Sequence, residues 1–169
     1  MGLGRLRVFL RQHRRIALDT SVFIYQLEAN ARYVALTDPV FSWLERPGSK
    51  AVASTLTMME LLVQPYRDAD EQRVDEIYGL LSAYPNLDWI GPNLEIVDLA
   101  ARLRAAHRLR TPDALLAATA AYGGATGFIT NDAVFERVKT FEVLILGRLS
   151  EPDHRAGLKP GGRMNPAPP

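Results

Sequence analysis

Four acids in this 169-residue chain stand beside apolar runs: Asp19 in "RIALD", Glu60 in "STLTMMELL", Asp113 in "RTPDALLAATA" and Asp132 in "GFITNDAVF". Carboxylates drawn to one place repel one another unless protons or cations compensate. Oxygen donors of this kind suit hard ions such as Mg2+ or Mn2+, which accept a few carboxylates and keep waters for a phosphate substrate. Each acid also has an ordinary structural reading. Asp113 follows Thr111, a good N-cap, and Pro112, favoured at the first helical position, so its charge suits a helix start. Glu60 stands three residues after Thr57, the spacing of a capping box. Asp19 and Asp132 can be read as polar residues ending strands.

The elements that must position these acids decide between the readings. Short apolar, β-branched runs occur at "RIALD", "KAVAST", "LDWI", "GFIT" and "FEVLIL", separated by longer stretches with apolar residues at helical spacing. That alternation predicts an α/β domain, three layers deep, with a central parallel sheet of about five strands between helices. One predicted helix begins near Asn93 and aligns Ile96, Leu99, Ala100, Leu103 and Ala106 on one face; another covers roughly residues 69–84. In a right-handed, doubly wound sheet the carboxyl ends of strands and the amino ends of following helices share one edge. All four acids are predicted to face it, and that edge is where such sheets hold ligands.

Composition narrows the classes. About half of the residues are hydrophobic and 23% are charged, which suits one packed core. Cysteine is absent, excluding disulfides, thiolate metal sites and thiol nucleophiles, and fitting a reducing cytoplasm. No run approaches the ~20 apolar residues of a membrane span, so a soluble protein with no membrane partner is expected. Net charge is only +1, yet five arginines fall in the first fifteen residues, and Arg102, Arg104, Arg108 and Arg110 crowd one segment ahead of Asp113. Such clusters suit a polyanion, although a basic solvated helix face looks the same. Residues 1–14 read as a basic tail, 15–149 as the folded domain, and 150–169, rich in glycine and proline, as a flexible tail. His13, His107 and His154 read as surface histidines.

With these residues in place the chain resembles the PIN-domain nucleases, and among them the VapC-type toxins of toxin–antitoxin pairs. The resemblance rests on "LDTSVFIY" from Leu18, "STLTMMELL" from Ser54, "LRTPDALLAATA" from Leu109 and "FITNDAVF" from Phe128, in this order and spacing. It implies that Asp19, Glu60, Asp113 and Asp132 form the acidic quartet, supported by Ser21 and Thr130. Asp19, Asp113 and Asp132 would then ligate Mg2+ or Mn2+, and Glu60 and Asp132 would orient water for hydrolysis of an RNA phosphodiester, with phosphate contacts from Arg102, Arg104, Arg108 and Arg110. Many relatives carry a further acid two places after the last; Val134 occupies that place here. The resemblance further implies a homodimer and an antitoxin partner. Two alternatives remain: a related module that binds RNA or protein without cutting, and a haloacid-dehalogenase-like phosphohydrolase, which would place an acid where this chain has Ser21.

Overall fold

A computed structural model describes residues 2–150 of the chain. The five expected strands are present as β1 (Arg15–Leu18), β2 (Lys50–Ser54), β3 (Leu87–Ile90), β4 (Gly127–Thr130) and β5 (Glu142–Ile145), all parallel, in the order β3-β2-β1-β4-β5. Between them run α2 (Thr20–Leu27), α3 (Val34–Leu44), α4 (Thr55–Arg67), α5 (Glu71–Ser82), α6 (Leu94–His107) and α7 (Thr111–Tyr122). A short 3-10 helix, Ala133–Arg137, links β4 to β5, and α8 (Gly147–Ser150) follows.

Three layers follow from the alternation of strand side chains. Ile16 and Leu18 of β1, Ala51 and Ala53 of β2 and Ile129 of β4 join one core with Phe23 of α2, Val40 and Phe41 of α3, Leu61 of α4 and Leu81 of α5. Ala17, Val52 and Phe128, one residue out of phase, join the opposite core with Ile96, Ala100 and Leu103 of α6 and the alanines of α7. Both faces of the sheet are therefore covered, as strands that read as continuous apolar runs require. Of the residues aligned on α6 from sequence, Leu99 is half-buried and Ala106 exposed, so the buried stripe is narrower than expected.

Residues 2–14 are not a tail. Gly2–Gln12 forms α1, whose Leu6, Phe9 and Leu10 are buried in the first core. Their i, i+3, i+4 spacing is helical, and Arg5, Arg7 and Arg11 occupy the exposed face. Gly127, which opens β4, lies directly beneath: a Cβ there would meet Phe9 at 2.6 Å and His13 at 2.9 Å, so only glycine lets this helix approach. His13 is correspondingly buried, its Nδ1 2.9 Å from Thr126 Oγ1 and its Nε2 3.0 Å from Glu142 Oε2. It is not a surface histidine. Of the C-terminal tail expected from residue 150, Ser150 ends α8 and the remainder, with His154, lies outside the described residues.

The sheet also contains a switch point. The connections β1 to β2 and β2 to β3 run toward one edge through helices of the first core, whereas α6 and α7 carry the chain back over the opposite face to β4, on the other side of β1. The loops leaving β1 and β4 consequently diverge, opening a crevice at the carboxyl ends of two adjacent strands.

Candidate active site

Asp19 sits in that crevice. It directly follows β1 and is the N-cap residue of α2, yet its side chain makes no capping bond. The carboxylate instead points into the gap between β1 and β4, only 8% exposed. Its Oδ2 accepts from Thr130 Oγ1 at 2.7 Å and from Ser21 Oγ at 2.9 Å. Each hydroxyl in turn accepts a backbone N–H of the loop after β4: Asp132 N donates to Thr130 Oγ1 at 2.9 Å and Asn131 N to Ser21 Oγ at 3.2 Å. The loop is thus folded around one carboxylate through the Ser21 and Thr130 hydroxyls.

Burial pushes the Asp19 carboxyl above its ordinary range, opposed by the hydrogen bonds from Thr130, Ser21 and the Thr20 backbone and reinforced by the negative charge of Glu60. The position therefore favours either a proton or a cation nearby.

Glu60 reaches the site by a different route from the one its sequence suggests. The cap of α4 is Ser54, whose Oγ accepts from Leu56 N at 3.2 Å, so the helix begins before Thr57 and Glu60 lies beyond its first turn. Thr57 is fully buried and has another task. Its hydroxyl stands 3.0 Å from that of Thr20, and Thr20 donates to Glu60 Oε2. With the single Thr20 proton used on Glu60, Thr57 must donate to Thr20. This relay ties α2 to α4 and holds Glu60 on the same side of the sheet as Asp19. Thr20 had no motif signal, because its role depends on partners 37 and 40 residues away.

Asp113 comes from the opposite layer. A short turn joins α7 to β4, and Arg15 Nη1, at the start of β1, donates to Gly123 O at 2.8 Å, which fixes the C-terminus of α7 at the amino edge of the sheet. The helix packs back along β2, so its N-terminus, with Asp113, lies toward the carboxyl edge. The N-cap is Arg110, without a side-chain cap bond, rather than Thr111; Pro112 occupies the first turn. Asp113 is 9% exposed and Arg110 Nε lies 3.3 Å from its Oδ2.

Asp132 is exposed, and its Oδ1 accepts from Val134 N at 2.9 Å, capping the short helix after β4. Its main chain belongs to the Asp19 relay while its carboxylate turns toward Val134. Asn131, which carried no expectation, anchors the loop from the other side: its Nδ2 donates to Tyr25 at 2.8 Å and Tyr33 at 3.3 Å, and its Oδ1 accepts from Gly147 N at 2.8 Å. The two tyrosine rings stack at 4.2 Å. Among the described residues no three acids or histidines stand close enough to enclose an ion.

The arginines expected to contact phosphate are all exposed, but several are engaged. Arg102 pairs with Asp98 at 2.9 Å, Arg104 donates to Leu109 O at 3.3 Å, Arg110 faces Asp113, and Arg108 ends α6 in the left-handed conformation at φ 53°. Beside Glu60 a groove of about 290 Å3 opens between α2, α4 and α5, with Ile24, Leu27, Leu61 and Ile77 on its floor and Glu28, Asp68, Asp70 and Arg73 on its rim.

A buried aspartate at the switch point of a β3-β2-β1-β4-β5 parallel sheet, its pKa raised further by the charge of Glu60, defines a class of α/β domain with an acid at its ligand edge. The PIN domain family model matches residues 16–140, and the chain belongs to that family. Solved structures share the fold at low identity. A toxin–antitoxin complex from Klebsiella pneumoniae is 22% identical, with TM-score 0.57, over 78% of this chain and 97% of that one. DNA-bound VapBC from Salmonella typhimurium is 19% identical, with TM-score 0.61, over 78% and 98%. VapBC-1 from nontypeable Haemophilus influenzae is 18% identical, with TM-score 0.60, over 79% and 98%. No curated protein matches the chain.

Proposed function

We propose that this protein is a cytoplasmic, divalent-metal-dependent endoribonuclease, the toxin of a toxin–antitoxin pair. The observation that carries the proposal is the Asp19 carboxylate, buried at the switch point, raised in pKa, and buttressed by Ser21 and Thr130. Such a group costs stability when charged and gains it back from a cation.

The donor set fits Mg2+ or Mn2+. It is all oxygen, and its acids are spread over separate elements, which suits an ion bound through one or two carboxylates with water and a substrate phosphate completing the shell. Asp19 and Asp113, the two buried acids, are the ligands in this reading, with Asp132 at the rim. When bound, the ion supplies Lewis-acid stabilisation of phosphate charge and makes water a stronger nucleophile near neutral pH. The residues orient the rest. Ser21 and Thr130 fix the direction of the Asp19 lone pairs, Thr20 fixes Glu60 to receive a proton from water, and Arg110, free to swing from Asp113, meets the phosphate. Hydrolysis breaks one P–O bond and delivers water's oxygen to phosphorus and its proton to the leaving oxygen.

The groove beside Glu60, apolar on its floor and predominantly acidic on its rim, suits a helical segment with apolar and basic side chains, which is how an antitoxin would reach the acids. Its natural source is a small protein encoded next to this one. Co-expression of that protein should suppress cleavage, and failure to do so would remove the antitoxin from the account. A homodimer is part of the same reading; light scattering showing a monomer at micromolar concentration would count against it.

Incubation of the purified protein with pooled RNA and Mn2+ or Mg2+ tests the enzyme directly. Cleavage should require the ion and vanish in Asp113→Asn with the fold retained. Retained cleavage in that variant would sink the site assignment. One observation favours a non-cutting module, the replacement of an acid by Val134, and metal-independent RNA binding without cleavage is the outcome that would establish it.

A further inference from the structure

A second basic surface lies at the other end of the sheet. Two depressions of about 220 and 350 Å3 share Leu10, Arg11, Trp43 and Arg46 and so form one continuous trough between α1 and α3, extended by Arg7 at one end and Arg14 at the other. Arg7, Arg11, Arg14 and Arg46 are all exposed, and none has an ion-pair partner among the described residues. Elsewhere Arg15, Arg73, Arg102, Arg110 and Arg148 each face a carboxylate.

No acid lines the trough, so its four positive charges raise one another's energy until an anion enters. Arg7 and Arg11 stand one helical turn apart, ~6 Å, on the order of the interval between successive phosphates of an extended strand. Trp43, half-buried on the floor between the two depressions, offers an aromatic surface against which a base can lie. Helix α1, which brings two of the arginines, precedes the residues that match the family model. Arg14 lies at the amino edge of the sheet and Asp19 at the carboxyl edge, roughly 16 Å along β1. The two sites are therefore separate, yet within the span of one oligonucleotide.

We propose that this trough is an RNA-binding surface that holds a single-stranded stretch of substrate at a distance from the acidic crevice. It rests on the reading of RNA as the substrate. A chain of net charge +1 can attract a polyanion in this way because positive charge is concentrated locally, with Arg7 and Arg11 on α1, Arg14 just after it and Arg46 just beyond α3.

Binding of a short fluorescein-labelled single-stranded RNA of mixed sequence, measured by anisotropy with EDTA present so that nothing is cut, tests it. The variant Arg7→Gln/Arg11→Gln/Arg46→Gln should bind about 10- to 100-fold more weakly near 0.1 M salt, with the log–log salt slope reduced by up to about 2, since each lost phosphate contact on a single strand removes ~0.7. RNA should also quench tryptophan fluorescence in the parent and lose most of that effect in Trp43→Phe, whose apolar packing is kept. Unchanged affinity and slope in the triple variant, or binding of phosphatidylserine vesicles in place of RNA, overturns the inference. Quenching that persists in Trp43→Phe comes from Trp89 and also counts against it. The outcomes separate from those of the enzyme assay: a protein that binds RNA through these arginines but cuts none keeps the trough and loses the ribonuclease. A protein that cuts RNA and binds it equally well in the triple variant does the reverse.

Discussion

At the scale of single residues, Asp19 is the hub, and its chemistry gives the sharpest consequences. Its pKa is raised in the folded protein, so the native state holds the proton more tightly than the unfolded chain. Without metal, stability should therefore increase as pH falls from neutrality through the raised pKa, and this contribution should level off below the ordinary aspartate range near 3.8. Asp19→Asn removes that dependence. In EDTA at pH 7 it should be at least as stable as the parent, and denaturant titrations at several pH values give the comparison. Thr130→Val should do the opposite. Thr130 is fully buried, donates to Asp19 and accepts from Asp132 N, so an isosteric apolar side chain strands one N–H and withdraws a donor from a buried carboxylate. A loss of about 1–3 kcal/mol is expected, larger at pH 7 than in acid. Equal loss at both pH values would mean that the hydroxyl serves packing alone. Asp19 was legible in sequence as the acid that closes an apolar run, and Ser21 and Thr130 became legible only through the family resemblance. Thr20 and Asn131 were not, since each acts through side chains brought near only by the fold.

At the scale of elements, α1 is the largest departure from what sequence reading supplies. Five arginines within fifteen residues mask the Leu6, Phe9, Leu10 pattern, which carries the helix and its burial. Phe9→Ala should cost on the order of 3–5 kcal/mol by urea denaturation, the loss for a buried phenylalanine. A cost below about 1 kcal/mol would restore the segment to a loosely attached tail. The five strands were readable because each is a short apolar run, and the layer order followed from their alternation with helices. Helix starts were less so: Ser54 and Arg110 take the cap positions of α4 and α7, whereas Thr57 and Thr111 looked equally suitable. The choice is tertiary, because Thr57 is needed in the relay to Glu60 and β2 runs into α4 without a loop. Exposed arginines were legible as a cluster but not as individuals, since ion pairing with Asp98 and Asp113 depends on the helical geometry that separates them.

At the scale of the whole molecule, charge is divided between the two edges of the sheet. Acids occupy the carboxyl edge and unpaired arginines the trough toward the amino edge, an arrangement that a net charge of +1 conceals. A polyanion attracted to one edge must still be received at the other by a cation, which makes metal binding the claim on which the account turns. Melting temperature with EDTA and with Mn2+ measures it without knowledge of the RNA target. At about a hundredfold excess over its dissociation constant, an ion specific to the folded state adds ~2.7 kcal/mol, equivalent to roughly 5–10 °C for a domain of this size. The parent should show that increase with Mn2+ or Mg2+, and Asp19→Asn should lose most of it while melting no lower in EDTA. An Asp19→Asn protein that melts lower in EDTA and keeps the full metal-induced increase would contradict the account, because Asp19 would then be a structural residue and the ion would be held elsewhere.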